Sequence, residues 1–376
     1  MDPYVIGIDI GTGSTKAIAM NYAGEVMDTA QTPYPTLQPE PGWHEQDPEV
    51  IWQAFVKCIS DIVGKLKKNP AAICLSSVMH SLIPVDNSHR PLMNMIIWTD
   101  NRSASIASRI HQSPAGQLLY EATGTPIHAM SPLCKIVWLK ENRNKLFDAT
   151  AKFISIKEYV WYKIFGVYEA DYSIASATGL FNITDLTWND LSLDVTSIGR
   201  EKLSNPVDAN HKRLCSDAVV RRLLNVDQNT PFYIGASDGC LANVGSFATE
   251  EGSMALTIGT SGAVRVMKKI PMLNFKAMTF NYRLDGDNYI CGGPTNNGGG
   301  VLKWYAETFL NNKLESAGDY EVLLGALTES PPGSEGLIFI PYIFGERAPV
   351  WSSDACGVFF GMRGYHLQQH FTRAVI

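Results

Sequence analysis

The chain carries one unusual tip twice. Gly11-Thr12-Gly13-Ser14 and Gly259-Thr260-Ser261-Gly262 each fall between short runs with the alternation or β-branched content of strands. Tyr4 to Gly11 and Thr15 to Met20 flank the first, and Ala255 to Gly262 and Val264 to Val266 form the second. Each stretch predicts a hairpin whose tip presents small residues, backbone N–H groups and hydroxyls. The same hairpin in both parts of a chain of 376 residues, long enough for two domains, predicts two related halves. The boundary is expected between Gly245 and Glu251, giving domains 1–245 and 246–376 with a shared ligand in the cleft between them.

The Asn21 to Gly24 turn leads to a third strand near Glu25 to Thr32, and Pro33 to Pro41 reads as loop. Asp47-Pro48 is a helix start, with Ile51, Phe55, Ile59, Ile62 and Leu66 following at helical spacing. Ala71 to Ser77 and Asn94 to Thr99 read as further strands, and their alternation with helices predicts an α/β fold. Met79-His80 follows the first and Asp100-Asn101-Arg102 the second, at the carboxyl ends of strands where open α/β sheets collect ligands. Ser155 and Glu158 have the spacing of a capping box. Pro231 to Asp238 reads as a strand entering a Gly-containing bend.

Composition narrows the partners. A net charge of −6 without charge blocks argues against nucleic acid, and no apolar run is long enough to span a bilayer. The start lacks a basic stretch followed by an apolar one, so no membrane partner is expected and the protein is placed in the cytoplasm. The seven cysteines, widely spaced and without a CxxC pair, predict neither a disulfide framework nor a zinc site.

The first tip reads Asp9-Ile10-Gly11-Thr12-Gly13-Ser14-Thr15-Lys16. Its glycines let backbone N–H groups approach phosphate oxygens, its hydroxyls add donors, and Lys16 adds positive charge. Asp9 can hold a magnesium ion directly or through water. A plain turn has the same composition, but the matching Gly259-Thr260-Ser261 shifts the balance toward phosphate. Asp238 can accept the proton of an attacking sugar hydroxyl or cap a helix, and the residues alone leave these readings level. His80 beside Met79 can contact a sugar or be structural. Trp98, Asp100 and Arg102 offer a stacking face, an acceptor and a cationic donor, against the alternative of a surface ion pair. Asn296 and Asn297 precede Gly298-Gly299-Gly300, a helix start that admits a nucleotide, and Lys303 one turn later can reach a phosphate. A flexible loop fits those residues nearly as well. Glu346-Arg347 can be catalytic, but the favoured reading is an internal ion pair holding a loop.

With these residues in view, the sequence resembles the FGGY carbohydrate kinases of the actin-like ATPase superfamily across its whole length. Met130 to Asn142 (MSPLCKIVWLKEN) matches the family's first signature, with Pro132, Lys135 and Trp138 in place. The second signature is entered at Gly357 and followed through His370 and Ala374 to Ile376. The resemblance implies two ribonuclease H-like domains around a cleft. It puts the rest of the second domain, with a Gly-rich adenine pocket, past Ile376, so residues 1 to 376 alone should bind ATP weakly. It also implies ATP and Mg2+ as cofactors. Gly11, Thr12, Gly13, Ser14, Lys16, Gly259, Thr260, Ser261, Gly299 and Lys303 are then nucleotide contacts. Asp9 and Asp238 are metal contacts, and Asp238 is the catalytic base. Met79, His80, Trp98, Asp100, Arg102, Asp238 and Asn296 are expected at the sugar. Ser76 to Leu82, Gly124 to Asn142, Asp171 to Gly179 (DYSIASATG) and Gly292 to Tyr305 are similar to gluconate-phosphorylating members more than to xylulose or glycerol kinases. That implies D-gluconate as acceptor and 6-phosphogluconate as product. D-xylulose or another pentulose is the alternative acceptor, and a non-catalytic sugar-binding paralogue the alternative class. A homodimer is left open.

Overall fold

Strand β1 (Tyr4–Ile10) is flanked on both sides, antiparallel to β2 (Ser14–Asn21) and parallel to β4 (Ala72–Ser77). The computed structural model describes residues 3–314, 316–325, 330–352 and 354–376. With β3 (Val26–Pro33), β5 (Lys212–Leu214) and β6 (Pro231–Ser237), these strands form a six-stranded sheet in the order β5-β6-β4-β1-β2-β3. Tyr4, Ile6, Ile8 and Ile10 are buried at period two. They share a core with α1 (Pro48–Leu66), which contributes Ile51, Phe55, Ile59 and Ile62. Asp47 caps α1 by accepting from the Glu49 N–H, and Pro48 occupies its first turn.

Further along, α2 (Pro132–Asn142), α3 (Ile156–Phe165) and the short α4 (Tyr172–Ser176) complete the surroundings of the sheet. Ser155 and Glu158 form the expected capping box at the start of α3. Strand β6 runs into α5 (Asp238–Gly245). Met95–Ile96 is the only strand within the expected Asn94 to Thr99, and it pairs with Glu45–Gln46 outside the main sheet. Ile96 also makes an antiparallel bridge with Leu82, and beyond it the Ile97 carbonyl accepts from Lys135 at 2.9 Å.

The chain divides into two compact units. The first holds Met1–Ser253, Val266–Phe275 and Phe280–Cys291, and the second holds Met254–Arg265, Lys276–Thr279 and Gly292–Ile376. Residues 266–275 and 280–291, expected in the second domain, thus group with the first. Phe280, Tyr282, Leu284 and Ile290 pack there in one cluster with Ala177, Ala236 and Cys240. The second unit contains β7 (Met254–Ile258), the start of β8 (Gly262–Lys268), α6 (Gly299–Phe309) and α7 (Gln368–Val375), which carries His370 and Ala374. Among the described residues no helix is long and apolar enough to cross a membrane.

One glycine is fixed by geometry. The β6–β4 register shifts between Tyr233 and Ala236, and Gly235 sits there at φ +62°, where an added Cβ would lie 2.1 Å from the Leu75 carbonyl oxygen. Gly235→Ala is expected to lower stability by ~3 kcal/mol, the sum of left-handed strain and overpacking against backbone. Thermal unfolding of the two proteins measures it; an unchanged melting temperature would mean that the bulge relaxes.

Candidate active site

In the first unit three parallel strands end side by side. Ile10 of β1 pairs with Ser77 of β4, and Ser77 pairs with Ser237 of β6. Their continuations are the Gly11 to Ser14 tip, Met79-His80 and Asp238, so the register alone brings three of the expected clusters to one sheet edge.

The first tip is a tight turn held by its neighbours. Gly11 N–H donates to the Ser14 carbonyl at 3.1 Å, and a Cβ on Gly11 would come 3.2 Å from that oxygen. The Tyr34 hydroxyl donates to the Gly11 carbonyl and Gln46 Nε2 to the Thr12 carbonyl, both at 2.6 Å. Burial pushes the Tyr34 phenol up to about 12, which keeps it a donor. Trp98 Nε1 donates to Thr12 Oγ1 at 3.0 Å, so the indole touches the tip. Ser14 is buried and accepts from Gln31 at 3.0 Å. Asp9, half-buried, accepts from Ser76 Oγ at 2.7 Å and faces the exposed Lys16 across the ladder. One oriented carboxylate with hard oxygen atoms suits magnesium, which keeps most of its waters and takes one or two carboxylates plus phosphate oxygens.

His80 is buried at φ +64°, an uncommon backbone state for a residue with a Cβ. Its Nδ1 lies 2.7 Å from the Ala177 carbonyl and its Nε2 3.0 Å from the Tyr282 hydroxyl. Facing a carbonyl, Nδ1 is the donor, and the hydroxyl of Tyr282 can serve Nε2 in either role. The His80 carbonyl accepts from Lys135 Nζ at 2.5 Å, and the same amine reaches the Ile97 carbonyl at 2.9 Å. Lys135 is thus one anchor for the loops that carry His80 and Trp98. Burial pulls its amine down to about 7 although the Asp100 carboxylate works the other way.

Asp100 and Arg102 do not form the surface pair considered as an alternative above. Asp100 is fully buried, and its carboxylate accepts from His44 N–H, Arg102 N–H, Arg102 Nε and Arg102 Nη2 at 2.7 to 3.0 Å. Arg102 also donates to Glu45 at 2.8 Å and lies over the Trp43 ring at 4.0 Å. These groups are directed at one another, and they brace the chain on either side of Trp98.

Asp238 is the first residue of α5 and half-buried, with Oδ1 accepting from the Gly239 N–H at 2.6 Å. The helix cap is Ser237, whose hydroxyl accepts from the Cys240 N–H. The capping role considered for Asp238 is therefore filled by its neighbour. A carboxylate in the first turn is favoured by the helix dipole.

In the second unit the Gly259 to Ser261 tip and the start of α6 lock together. The N–H groups of Gly298, Gly299 and Gly300 donate to the carbonyls of Thr260, Gly259 and Thr260 at 2.7 to 3.2 Å. A Cβ on Gly298 would lie 2.8 Å from the Gly259 oxygen and one on Gly300 2.9 Å from Thr260. The glycine run thus allows close approach to the hairpin tip. Lys303 sits 3.8 Å from Glu307 in an exposed pair one turn apart. Glu346 holds the segment before the helix: it accepts from Thr295 Oγ1, Asn296 N–H and Asn297 Nδ2. Asn296 Nδ2 donates to the Phe344 carbonyl at 3.1 Å, and Arg347 donates to the Thr295 carbonyl at 3.0 Å. The loop is pinned as expected for an internal role of Glu346, and the Arg347 backbone N–H donates to the Glu346 carboxylate at 2.7 Å.

Sequence reasoning missed Lys135 as an anchor, Tyr282 as the partner of His80, and the buried Lys157–Asp171 pair. A signal existed for the first: Lys135 interrupts the apolar run Leu133-Cys134-Lys135-Ile136-Val137, where a charge has to find partners.

The N-terminal domain of the FGGY family of carbohydrate kinases matches residues 4–245, and the family's C-terminal domain matches residues 254–376. The chain belongs to this family: it is an ATP-dependent carbohydrate kinase with the two-domain α/β fold of the actin-like ATPase superfamily. It is 40% identical to a gluconokinase of Bacillus subtilis over 383 residues, covering 100% of this chain and 74% of the relative. A xylulose kinase of Lactococcus lactis is 31% identical, with 99% of this chain and 74% of the relative covered. The crystal structure of gluconate kinase from Lactobacillus acidophilus superposes with a TM-score of 0.94 at 35% identity, over 99% of this chain and 75% of that one.

Proposed function

We propose that the protein phosphorylates D-gluconate to 6-phosphogluconate, with Asp238 as general base and magnesium bound at Asp9 and Asp238. The observation that carries this reading is the register of β1, β4 and β6, which sets the first tip, Met79-His80 and Asp238 at adjacent strand ends. The Asp238 carboxylate takes the proton of the attacking hydroxyl as its oxygen bonds to the γ-phosphorus of ATP, whose bond to the bridging oxygen breaks to release ADP. Met79, His80 and Trp98 hold the acceptor, while Asp100 and Arg102 act from behind by fixing the loop. Asn296 is assigned to the acceptor on the family resemblance. Gly11, Thr12, Gly13, Ser14 and Lys16, with Gly259, Thr260, Ser261, Gly299 and Lys303, serve the nucleotide. Bound magnesium would offset charge on the phosphates. Such transfer depends mainly on positioning and electrostatics, which suits a site braced by buried hydrogen bonds.

Gluconate as acceptor is supported by the higher identity to a gluconokinase than to a xylulose kinase, 40% against 31%. The full-length gene product is expected to turn over D-gluconate with a kcat/KM well above those for D-xylulose and glycerol. A coupled assay over a panel of aldonates and ketoses measures this; equal or better use of xylulose would replace the acceptor and keep the family. Cytoplasmic location completes the reading, and the seven free thiols are in keeping with a reducing compartment.

A further inference from the structure

Two charges that phosphoryl transfer does not call for are buried behind Asp238. Lys157 and Asp171 are 1% and 0% exposed and pair at 2.7 Å. Lys157 lies in the first turn of α3, where its charge opposes the helix dipole, and burial adds desolvation. Well-packed apolar residues often replace such pairs without loss of stability, so the pair calls for another explanation.

What the pair grips is a single peptide group. Lys157 Nζ donates to the Ala236 carbonyl at 3.0 Å. Asp171 accepts from the Ser173 hydroxyl, and from the Ser173 and Ile174 N–H groups at 3.1 Å. With its proton given to Asp171, the Ser173 hydroxyl accepts the Ser237 N–H at 2.7 Å. The Ala236 C=O and the Ser237 N–H are the two ends of one peptide plane, the one immediately before the residue pair Ser237-Asp238. Gly235, at φ +62°, precedes that plane and leaves the chain local freedom to turn it. A plane held at both ends beside a permissive glycine has one orientation, and the helix that begins with Asp238 inherits it.

We propose that Lys157, Asp171 and Ser173 are positioning residues that clamp the 236–237 peptide and so aim the Asp238 carboxylate at the acceptor hydroxyl. The proposal rests on Asp238 being the base. It predicts that loosening the clamp lowers kcat and leaves ligand binding nearly alone, because Lys157, Asp171 and Ser173 are closed off from the surface.

The test uses the full-length gene product. Lys157→Met combined with Asp171→Asn removes both charges together, keeps similar volumes and retains an oxygen to cap α4. Its kcat is expected to fall roughly 10- to 100-fold, as a misplacement of about 1 Å would cause, with KM for gluconate and ATP within about threefold. Ser173→Ala, which leaves the ion pair in place, should lower kcat in the same direction and keeps the test open if the paired variant does not fold. Adding the paired change to Asp238→Asn should cost little more, since the clamp acts through that carboxylate. Wild-type kcat in a folded paired variant, wild-type kcat in Ser173→Ala, or a loss fully additive with Asp238→Asn would each overturn the clamp. Near-normal kcat in Asp238→Asn alone would instead remove the base, which is a separate failure read from a separate protein.

Discussion

Asp238→Asn in the full-length gene product is expected to keep both ligands and lose most of the chemical step. Asn has nearly the shape of Asp and can still hydrogen-bond the acceptor hydroxyl, but its amide cannot take the proton. A general base is typically worth ~10²- to 10⁴-fold, so kcat should fall by that much while the dissociation constants change only modestly. Folding should survive. Ser237 provides the helix cap, so the substitution gives up only a dipole contribution of about 0.3–1 kcal/mol. Single-turnover kinetics beside calorimetric binding separate the two quantities. Near-normal kcat would remove Asp238 as the base. Asp100 could not take its place, because it is fully buried and already accepts from four donors.

How far the sequence carried the argument depended on how local each determinant was. The first hairpin, the Asp47-Pro48 helix start and the Ser155/Glu158 capping box are written in a few consecutive residues, and each formed as expected. Asn94 to Thr99 has strand composition yet contributes only Met95–Ile96, with a bridge from Ile96 to Leu82, and past it the Ile97 carbonyl is claimed by Lys135, a residue far off in the chain. Asp100-Asn101-Arg102 reads as a ligand cluster, or else a surface ion pair, until Trp43, His44 and Glu45 close over it from more than fifty residues earlier. The glycines at 298–300 could be seen as a place of close approach, but their partner could not, since the Thr260 carbonyl arrives only through folding. Local propensity thus reported elements and candidate residues, whereas burial and partner choice required the assembled unit.

Lys135→Met should have the largest effect on stability. The substitution keeps most of the volume but removes the Lys135 donor from the His80 and Ile97 carbonyls, of which the second keeps the Asp100 N–H at 3.2 Å. Each lost partner costs ~1–3 kcal/mol, so a total of roughly 3–5 kcal/mol is expected, about 10 °C in melting temperature for a domain of this size. The pH dependence has a definite sign. Burial, opposed by Asp100 and assisted by Arg102, brings the amine from its ordinary 10.5 down to about 7. Above that point the folded chain lacks a proton that the unfolded chain still holds until near 10.5, so this group adds stability as pH rises. It adds nothing to the slope below about 7, where both states are protonated. A neutral amine has two N–H donors, and Lys135 makes two short contacts, at 2.5 and 2.9 Å, with a third oxygen, of Ile96, at 3.5 Å. The stability gap between wild type and Lys135→Met should therefore widen from pH 7 to pH 9, by at most ~1.4 kcal/mol per unit, with all other titrating groups common to both proteins. Urea unfolding at several pH values reads the gap directly. A gap that narrows with rising pH would mean that the backbone carbonyls keep the ammonium charged against its burial.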